Sequence, residues 1–243
     1  MQIWDHLPPV PLSGSSAAST IPGMTPTVDS EESERQRHWE SIYGEKDTAK
    51  MSWFEPEPSI SLAVLNAVGA GPSMAVIDVG AGASRLAAAL LMRGFTDITA
   101  LDVADDGLAV ARREVGPDAD KITWVTADLL TWSPGRRFDI WHDRAVFHFL
   151  ITPAQQRRYV ATAQAALHPR ARMIIATFAE DGPRQCSGLP VARYGPSQLV
   201  DTLNAHSGAA FELIDHRREE HRTPTGVVQP FTWVGLALAP RPG

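Results

Sequence analysis

The stretch VIDVGAGAS, residues 76–84, decides the fold. An apolar run that contains Asp78 leads directly into Gly80 and Gly82. A buried strand followed by a glycine turn and a helix is typical of the first unit of a doubly wound α/β sheet. Glycine allows a tight turn and leaves room for a ligand beside the backbone. The stretch therefore predicts a ligand site at the carboxyl end of the first strand.

Beyond this stretch, strand-like apolar runs alternate with helical patterns as far as ARMIIATFA at residues 171–179. Such alternation predicts parallel strands joined by crossover helices. The last two strand patterns, residues 211–222 and 228–239, have no helix between them and predict an antiparallel hairpin. We therefore predict an α/β fold with a Rossmann-like, doubly wound, seven-stranded sheet. The sheet is mostly parallel and ends in a C-terminal antiparallel hairpin.

The chain before the first strand has a different composition. Residues 1–28 are rich in Pro, Ser, Thr and Gly and predict a flexible N-terminal arm. Two helical patterns follow, the first ending at Gly44, and they predict a helical cap. The predicted domain thus spans residues 29–243, with the cap at 29–72 and the core at 73–243.

Composition restricts the classes of function. The 243 residues carry a net charge of −6, unlike the basic surface of a nucleic-acid binder, so we expect no nucleic-acid partner. The single cysteine, Cys186, allows no internal disulfide and no thiolate metal site, so we expect no metal and a reducing, cytoplasmic compartment. The apolar runs are too short for a bilayer, so we expect no membrane association. The oligomeric state stays open.

Acidic residues at three successive strand ends indicate the kind of ligand. Asp78 precedes the glycines, Asp102 ends the second strand and Asp128 ends the third. A carboxylate at the second strand accepts hydrogen bonds from ribose hydroxyls, and one at the third can accept from an adenine amine. A dinucleotide fingerprint needs a third glycine where this chain has Arg85. Because three carboxylates would also repel phosphates, the pattern favours a phosphate-free adenosine over NAD.

These residues resemble class I S-adenosylmethionine-dependent methyltransferases. The likeness rests on VIDVGAG, the LD of ITALDV, the AD of VTADL and FDIWHDRAVFHFL at 138–150, and it covers roughly residues 36–239. HWESIYG, SWFEPEP and CSGLPVARY resemble a bacterial subgroup of generic methyltransferases related to protein-lysine methyltransferases. The resemblance implies S-adenosylmethionine as cofactor and S-adenosylhomocysteine as product. It also implies methyl transfer to an N, O or S nucleophile of a small molecule or protein side chain.

Ten residues are the predicted cofactor contacts. We expect Asp78 to receive the methionine ammonium, and Asp102 and Asp128 to take the ribose and the adenine amine. The other candidates lie beside the expected ligand and are Gly80, Gly82, Arg85, Val103, Leu129, Tyr43 and Trp53. Among them, Arg85 suits the methionine carboxylate, Val103 and Leu129 would sandwich the adenine ring, and aromatic faces stabilise a sulfonium.

The segment after the fourth strand supplies the catalytic candidates His142, Asp143 and His148. A histidine titrates near neutrality and can act as a general base when the nucleophile arrives protonated, while Asp143 can orient a partner. Four residues are weaker substrate candidates, one at the end of the fourth strand and three in the loops after the fifth strand and between the last two strands. They are Arg144, which ends the fourth strand, and Cys186, His221 and Gln229.

Three alternative functions stay open at the level of sequence. An enzyme can use S-adenosylmethionine for cyclisation or for transfer of its alkyl chain. A non-catalytic module can bind the same cofactor for regulation. An NAD-dependent oxidoreductase is disfavoured by Arg85 in the fingerprint.

Overall fold

The computed structural model describes residues 28–45, 47–208 and 210–239. The predicted arm therefore lies outside the described residues, apart from Val28, which begins the first helix. The division into cap and core stays a prediction. The helices are α1 (Val28–Glu45), α2 (Ser59–Ala67), α3 (Leu86–Met92), α4 (Asp105–Val115), α5 (Pro153–Ala166) and α6 (Pro196–Ala205). The strands are β1 (Val76–Val79), β2 (Ile98–Asp102), β3 (Ile122–Thr126), β4 (Phe138–Arg144), β5 (Leu167–Phe178), β6 (Gln185–Cys186), β7 (Leu189–Pro190), β8 (Phe211–Arg222) and β9 (Val228–Leu238).

Seven of these strands form one sheet in the order β3-β2-β1-β4-β5-β9-β8. The neighbours from β3 to β5 pair in parallel, whereas β9 pairs antiparallel with both β5 and β8. The predicted α/β fold with its C-terminal antiparallel hairpin is confirmed. The chain winds outward from β1 in one direction and from β4 in the other, so the gap between these strands is the switch point of the sheet.

Alternation along β1 divides the core between the two faces of the sheet. Ile77 and Val79 belong to the hydrophobic cluster that α5 and α6 cover. Val76 belongs to the opposite cluster, which α2, α3 and α4 cover. Asp78 follows the same alternation as Val76, so its side chain lies on the face that α2 and α3 cover.

Local signals explain where the helices begin. Thr152 caps α5 in a capping box, because its hydroxyl accepts from the Gln155 amide and the Gln155 side chain accepts from the Thr152 amide. Pro153 fills the first helical position, as the sequence predicts. The first helix passes the predicted stop at Gly44 by one residue and ends at Glu45.

Within the described part of the chain, none of the helices combines the length and the apolar character that a bilayer crossing needs.

Candidate functional site

Two adjoining cavities open at the carboxyl ends of the parallel strands. The larger measures about 980 Å³ with its open mouth included, and the smaller about 610 Å³. Tyr43, Trp53, Gly80 and Arg144 line both. The pair therefore forms one continuous crevice across the switch point, where open α/β sheets bind their ligands.

The glycine turn after β1 brings neighbouring elements close to the backbone. Gly80 and Gly82 have φ values of 66° and 45°, a region that side chains other than glycine rarely adopt. A Cβ on Gly80 would overlap a methyl group of Val146, and one on Gly82 would overlap the Tyr43 hydroxyl. The sequence predicts room for a ligand at these glycines, but two side chains of the protein occupy that room.

Asp102 is held at the end of β2 by two backbone amides. Its Oδ2 accepts from the Gly82 amide and its Oδ1 from the Ala104 amide, both at 2.8 Å. Burial raises the pKa of Asp102 to about 6. Each oxygen keeps a second lone pair, so the carboxylate can also accept hydrogen bonds from a ligand in the larger cavity.

Asp128, after β3, is bound to the first helix. Its Oδ2 accepts from the Arg35 Nε at 2.7 Å, and its Oδ1 accepts from the Leu130 amide at 2.8 Å. Within the described part of the chain, the buried Arg35 Nη2 has no hydrogen-bond partner. Arg35 therefore extends into the larger cavity beside the acid that the sequence assigns to adenine.

An aromatic wall covers the larger cavity. Trp39 contacts Tyr43, Trp53 and Phe149, with ring centroids 6.5, 6.0 and 5.2 Å apart. All four side chains line that cavity. These four rings therefore pack against each other and also face the cavity.

The smaller cavity contains a buried chain of three polar side chains. The Nδ1 of His142 lies 2.7 Å from Oδ1 of Asp78, and its Nε2 lies 3.0 Å from the Ser61 hydroxyl. All three side chains line this cavity and are at most 3% exposed. The second carboxylate oxygen of Asp78 is buried and has no hydrogen-bond partner among the residues that the structure describes.

The larger cavity also contains aromatic rings and a few polar groups. Phe178, Phe231, Cys186 and Gln229 line it together with Arg144. The Arg144 guanidinium lies over the Phe231 ring, 5.2 Å from its centroid. Burial raises the pKa of the Cys186 thiol, so the thiol stays protonated and unreactive near neutrality.

Arg144 is fixed by the loop that precedes α2. Its Nη1 donates to the Trp53 carbonyl at 3.0 Å, and its Nη2 lies 3.2 Å from a Glu55 oxygen. Because Arg144 makes these contacts, it orders residues 51–58, which we call the entry loop. It also lines both cavities.

Glu55, Glu219 and His221 offer three possible metal-ligand atoms within 4.8 Å of one another. The Trp233 indole donates to Glu219, and the Nε2 of His221 lies 2.7 Å from the Ser52 carbonyl. The Arg144 guanidinium also lies beside Glu55. A cation and hydrogen-bond donors of the protein therefore already engage the side chains of this three-residue cluster.

Comparison with known proteins relates this geometry to a family. Residues 76–170 match the model of a methyltransferase domain. No curated protein of known function matches the chain. The match runs from β1 to the start of β5 and includes Asp78, Asp102 and Asp128, whereas Phe178 and Phe231, which also line the larger cavity, lie beyond it.

Solved structures share the fold over most of the chain. The Burkholderia thailandensis 1,6-didemethyltoxoflavin-N1-methyltransferase is 20% identical, with a TM-score of 0.61 over 87% of each chain. The N-methyltransferase NodS of Bradyrhizobium japonicum, solved with S-adenosylhomocysteine, is 13% identical, with a TM-score of 0.65 over 84% of this chain and 98% of that one. The glycopeptide N-methyltransferase MtfA, solved with sinefungin, is 17% identical, with a TM-score of 0.59 over 78% of this chain and 96% of that one.

Residues 76–170 thus match a methyltransferase domain, and the chain shares the fold of these solved N-methyltransferases. The crevice suits an adenosyl amino acid such as S-adenosylmethionine chemically. Asp102 keeps free lone pairs for hydroxyl donors, and the unpartnered oxygen of Asp78 can accept from a cation. The two groups lie in adjoining cavities, as a ligand that carries both a ribose and an ammonium requires.

Seven of the ten predicted cofactor contacts line the larger cavity or both cavities. They are Tyr43, Trp53, Gly80, Asp102, Val103, Asp128 and Leu129. Asp78 and Arg85 line only the smaller cavity. Gly82 lines neither cavity, because the Tyr43 hydroxyl covers it.

Arg85 is engaged by other parts of the protein. Its Nη1 donates to the Pro56 carbonyl at 3.2 Å, and its Nη2 lies 3.0 Å from Glu114. The guanidinium also lies over the Phe54 ring, 5.4 Å from its centroid. Arg85 therefore connects the entry loop to α4 at the edge of the smaller cavity.

Two of the three catalytic candidates lie outside both cavities. The Asp143 carboxylate accepts from the amides of Val146 and Phe147 and from the Tyr159 hydroxyl, the last at 2.6 Å. Burial raises the pKa of Asp143 to about 6. The carboxylate thus holds the turn after β4 and ties it to α5.

His148 is sealed between aromatic rings. It is fully buried, and its ring packs against Phe149 and Phe178 with centroids 4.4 and 4.9 Å away. Burial lowers the pKa of His148 to about 3, so the ring is neutral near pH 7. Its contacts stabilise the wall of the larger cavity from behind.

The substrate candidates separate in the same way. Arg144, Cys186 and Gln229 line the larger cavity. His221 lines neither cavity, because its ring is buried against Ser52 and Glu219.

Sequence reasoning missed Arg35, Ser61 and Phe149. Arg35, Trp39 and Tyr43 are spaced by four residues, which places them on one face of α1. Ser61 stands among the apolar residues of the buried face of α2, where a hydroxyl requires a partner. Both signals were present in the sequence.

Proposed function

We propose that the domain binds S-adenosylmethionine across both cavities, with the adenosine in the larger and the amino-acid group in the smaller. The observation that carries this proposal is the position of three acids along one crevice. Asp102 and Asp128 line the larger cavity, and Asp78 lines the smaller. Asp102 would accept from the ribose, Asp128 from the adenine amine and Asp78 from the ammonium.

Side chains around these acids would enclose the remaining parts of the cofactor. Val103 and Leu129 follow Asp102 and Asp128 in sequence and would hold the adenine ring between them. The rings of Tyr43 and Trp53 line both cavities, where an aromatic face favours a cationic sulfonium. Gly80 and Gly82 would keep the turn tight, and Arg85 would attract the carboxylate from the rim of the smaller cavity.

Asp128 would share its carboxylate between the cofactor and the protein. Because Oδ2 is bonded to Arg35 and Oδ1 to the Leu130 amide, an adenine amine would use a remaining lone pair. Arg35 would then lie beside the adenine ring, where a guanidinium can stack on an aromatic face. The first helix thus becomes part of the adenine site in this proposal.

The acceptor in this proposal is an N, O or S nucleophile of a small molecule. Phe178, Phe231 and Gln229 line the larger cavity together with the two acids. Aromatic walls with a few polar groups are typical of small-molecule sites. The similar structures include a 1,6-didemethyltoxoflavin methyltransferase and a glycopeptide methyltransferase, which agrees with an organic acceptor rather than a nucleic acid.

When bound, the cofactor supplies a methyl group on a positively charged sulfur. The chain would contribute proximity, alignment and exclusion of water, which together supply much of the rate of such a displacement. Asp143 and His148 lie outside the cavities, and both ring nitrogens of His142 are already bonded. We therefore assign none of the three a direct proton transfer and propose that they act through the shape of the site.

The test is to identify the cofactor product. The purified protein is incubated with methyl-labelled S-adenosylmethionine and a metabolite extract, and mass spectrometry then follows label and cofactor. S-adenosylhomocysteine together with a labelled acceptor supports the proposal, and the mass of that acceptor defines its class. Methylthioadenosine as the product would contradict it in favour of alkyl transfer. Cofactor binding without turnover on amine, thiol, hydroxyl and protein acceptors would favour a non-catalytic module.

A further inference from the structure

The register of the sheet brings Asp78 and His142 together. Asp78 on β1 pairs directly with His142 on β4, so their side chains stand side by side on the same face of the sheet. Helix α2 packs on that face and supplies Ser61. Three separate elements thus deliver one acid, one imidazole and one hydroxyl to the same buried spot.

The hydrogen bonds among these groups run in one direction. With its proton on Nδ1, the His142 ring donates to Oδ1 of Asp78, 2.7 Å away. Its Nε2 then accepts from the Ser61 hydroxyl, 3.0 Å away. This arrangement satisfies both nitrogens of a neutral imidazole and fixes the plane of the Asp78 carboxylate.

One oxygen of Asp78 is left over. Its Oδ2 is buried and has no partner in the described residues, while the Asp78 side chain lines the smaller cavity. An unsatisfied buried acceptor destabilises a fold unless a ligand supplies the donor. A primary ammonium offers three donors and a positive charge, which is the complement of a single free carboxylate oxygen.

We propose that Ser61 and His142 are positioning residues that hold Asp78 for the ammonium of the cofactor's amino-acid group. This inference rests on the proposed function. The relay of Ser61, His142 and Asp78 lets the protein distinguish adenosyl ligands that carry an amino-acid group from those that lack one. His142 therefore acts at the cofactor, through Asp78, and not on the acceptor.

The test compares two ligands that differ in the amino-acid group. S-adenosylhomocysteine carries it, whereas 5′-methylthioadenosine keeps the adenosine and the thioether without it. Calorimetry gives the dissociation constant of each ligand for the wild-type protein and for Ser61→Ala, which removes one oxygen atom. We expect Ser61→Ala to weaken the binding of S-adenosylhomocysteine by about three- to tenfold, which is the effect of a lost hydrogen bond in a charged network. Binding of methylthioadenosine should change less than twofold.

A second pair of variants examines the imidazole. His142→Leu removes the donor to Asp78 and should weaken S-adenosylhomocysteine by more than about tenfold. His142→Asn can still donate toward Asp78 and should recover part of that affinity. Melting temperatures show whether these two variants fold. If His142→Leu does not fold, the comparison of Ser61→Ala with the wild type is sufficient to test the positioning role.

A double-mutant cycle tests whether Ser61 acts through the acid. In an Asp78→Asn background, Ser61→Ala should have no further effect on S-adenosylhomocysteine, because the carboxylate that it helps to hold is gone. Thr99→Val is the matched control, since it removes a buried hydroxyl on β2 that lines neither cavity. Thr99→Val should leave the dissociation constants of both ligands unchanged.

The outcomes separate this inference from the proposed function. If Ser61→Ala weakens the binding of both ligands to the same extent, or changes the binding of neither, the positioning role is overturned. A wild-type protein that binds neither ligand would instead overturn the cofactor assignment itself. Selective loss of S-adenosylhomocysteine, with rescue by His142→Asn, supports the relay.

Discussion

The Nε of Arg35 lies 2.7 Å from the Oδ2 of Asp128 and ties the first helix to the end of β3. The Asp128 side chain is 4% exposed and the Arg35 side chain 24%, so this ion pair is shielded from water on one side. The same helix carries Trp39 and Tyr43 into the wall of the larger cavity. Docking of α1 and completion of the cavity therefore depend on the same contact.

Replacing Arg35 should destabilise the protein. Arg35→Met leaves the buried Asp128 carboxylate without its cation, and the free energy of unfolding should fall by about 1–3 kcal/mol, between the values for exposed and fully buried pairs. Urea denaturation measures this change. Arg37→Met, on an exposed position of the same helix, is the control and should have little effect. Equal stabilities of the two variants would contradict a structural role for the pair.

Removing the Asp102 carboxylate should weaken cofactor binding. Asp102→Ala loses the charge-assisted hydrogen bonds that we assign to the ribose, and the binding free energy should fall by about 2–3 kcal/mol. Calorimetry with S-adenosylhomocysteine measures it, with Asp201→Ala on the exposed side of α6 as the control. An unchanged dissociation constant would show that the ribose binds elsewhere.

Removing the Tyr159 hydroxyl should affect stability and spare binding. This hydroxyl donates to Asp143 at 2.6 Å and accepts from the Trp141 indole at 2.9 Å, so Tyr159→Phe deprives the buried Trp141 indole of this acceptor and removes one of the donors to Asp143. The free energy of unfolding should fall by about 1–3 kcal/mol. The dissociation constant of S-adenosylhomocysteine should stay within about twofold, since this variant removes no group that lines a cavity. A large loss of affinity with intact stability would reverse our view of Asp143.

Stability should depend on pH through Asp143. Burial raises its pKa in the folded protein to about 6, against an ordinary value of 3.8. Between these values the folded protein holds a proton that the unfolded chain has released, so the contribution of Asp143 to the free energy of unfolding declines as pH rises. That contribution is complete below the ordinary pKa and is lost once pH passes about 6.

The variant Asp143→Asn isolates this effect because it cannot titrate. We expect the free energy of unfolding of the wild type to fall relative to that of Asp143→Asn as the pH rises from about 4.5 to about 6.5. Urea denaturation measures both free energies. All other ionisable groups are common to both proteins and cancel. A constant difference across that range would mean that Asp143 titrates at its ordinary value.

Gly80 should tolerate no side chain while Val146 keeps its methyl groups. Gly80→Ala places a Cβ against a Val146 methyl at a positive φ, and it should cost about 2–4 kcal/mol of unfolding free energy. In a Val146→Ala background the cost should fall to that of the backbone strain alone. Chemical denaturation of the four proteins in this cycle measures it. An identical cost in both backgrounds would exclude the contact as the cause.

The architecture of the sheet was predictable because its signals are local. Alternating strands and helices, the glycine turn and the paired final strands each follow from short stretches of sequence. Asp102 and Asp128 were assignable to the cavity because the ends of parallel strands meet at one edge of a sheet. Both acids do line the larger cavity.

The roles of neighbouring residues on β4 were harder to foresee. His142 and Asp143 are adjacent in sequence, but successive side chains of a strand point to opposite faces. His142 therefore meets Asp78 and Ser61 below α2, while Asp143 meets Tyr159 of α5. The ion pair of Arg35 joins residues 93 positions apart, a distance that no local pattern specifies.

The larger cavity is closed by side chains from both ends of the described chain, Tyr43 on α1 and Phe231 on β9. A nascent or truncated chain that lacks either end cannot complete the cavity. A ligand that fills the completed cavity therefore binds the folded polypeptide more tightly than a chain that lacks one of these walls, and by mass action it stabilises the folded state. The cellular level of the ligand would thereby help to determine how long the protein survives chaperones and proteases.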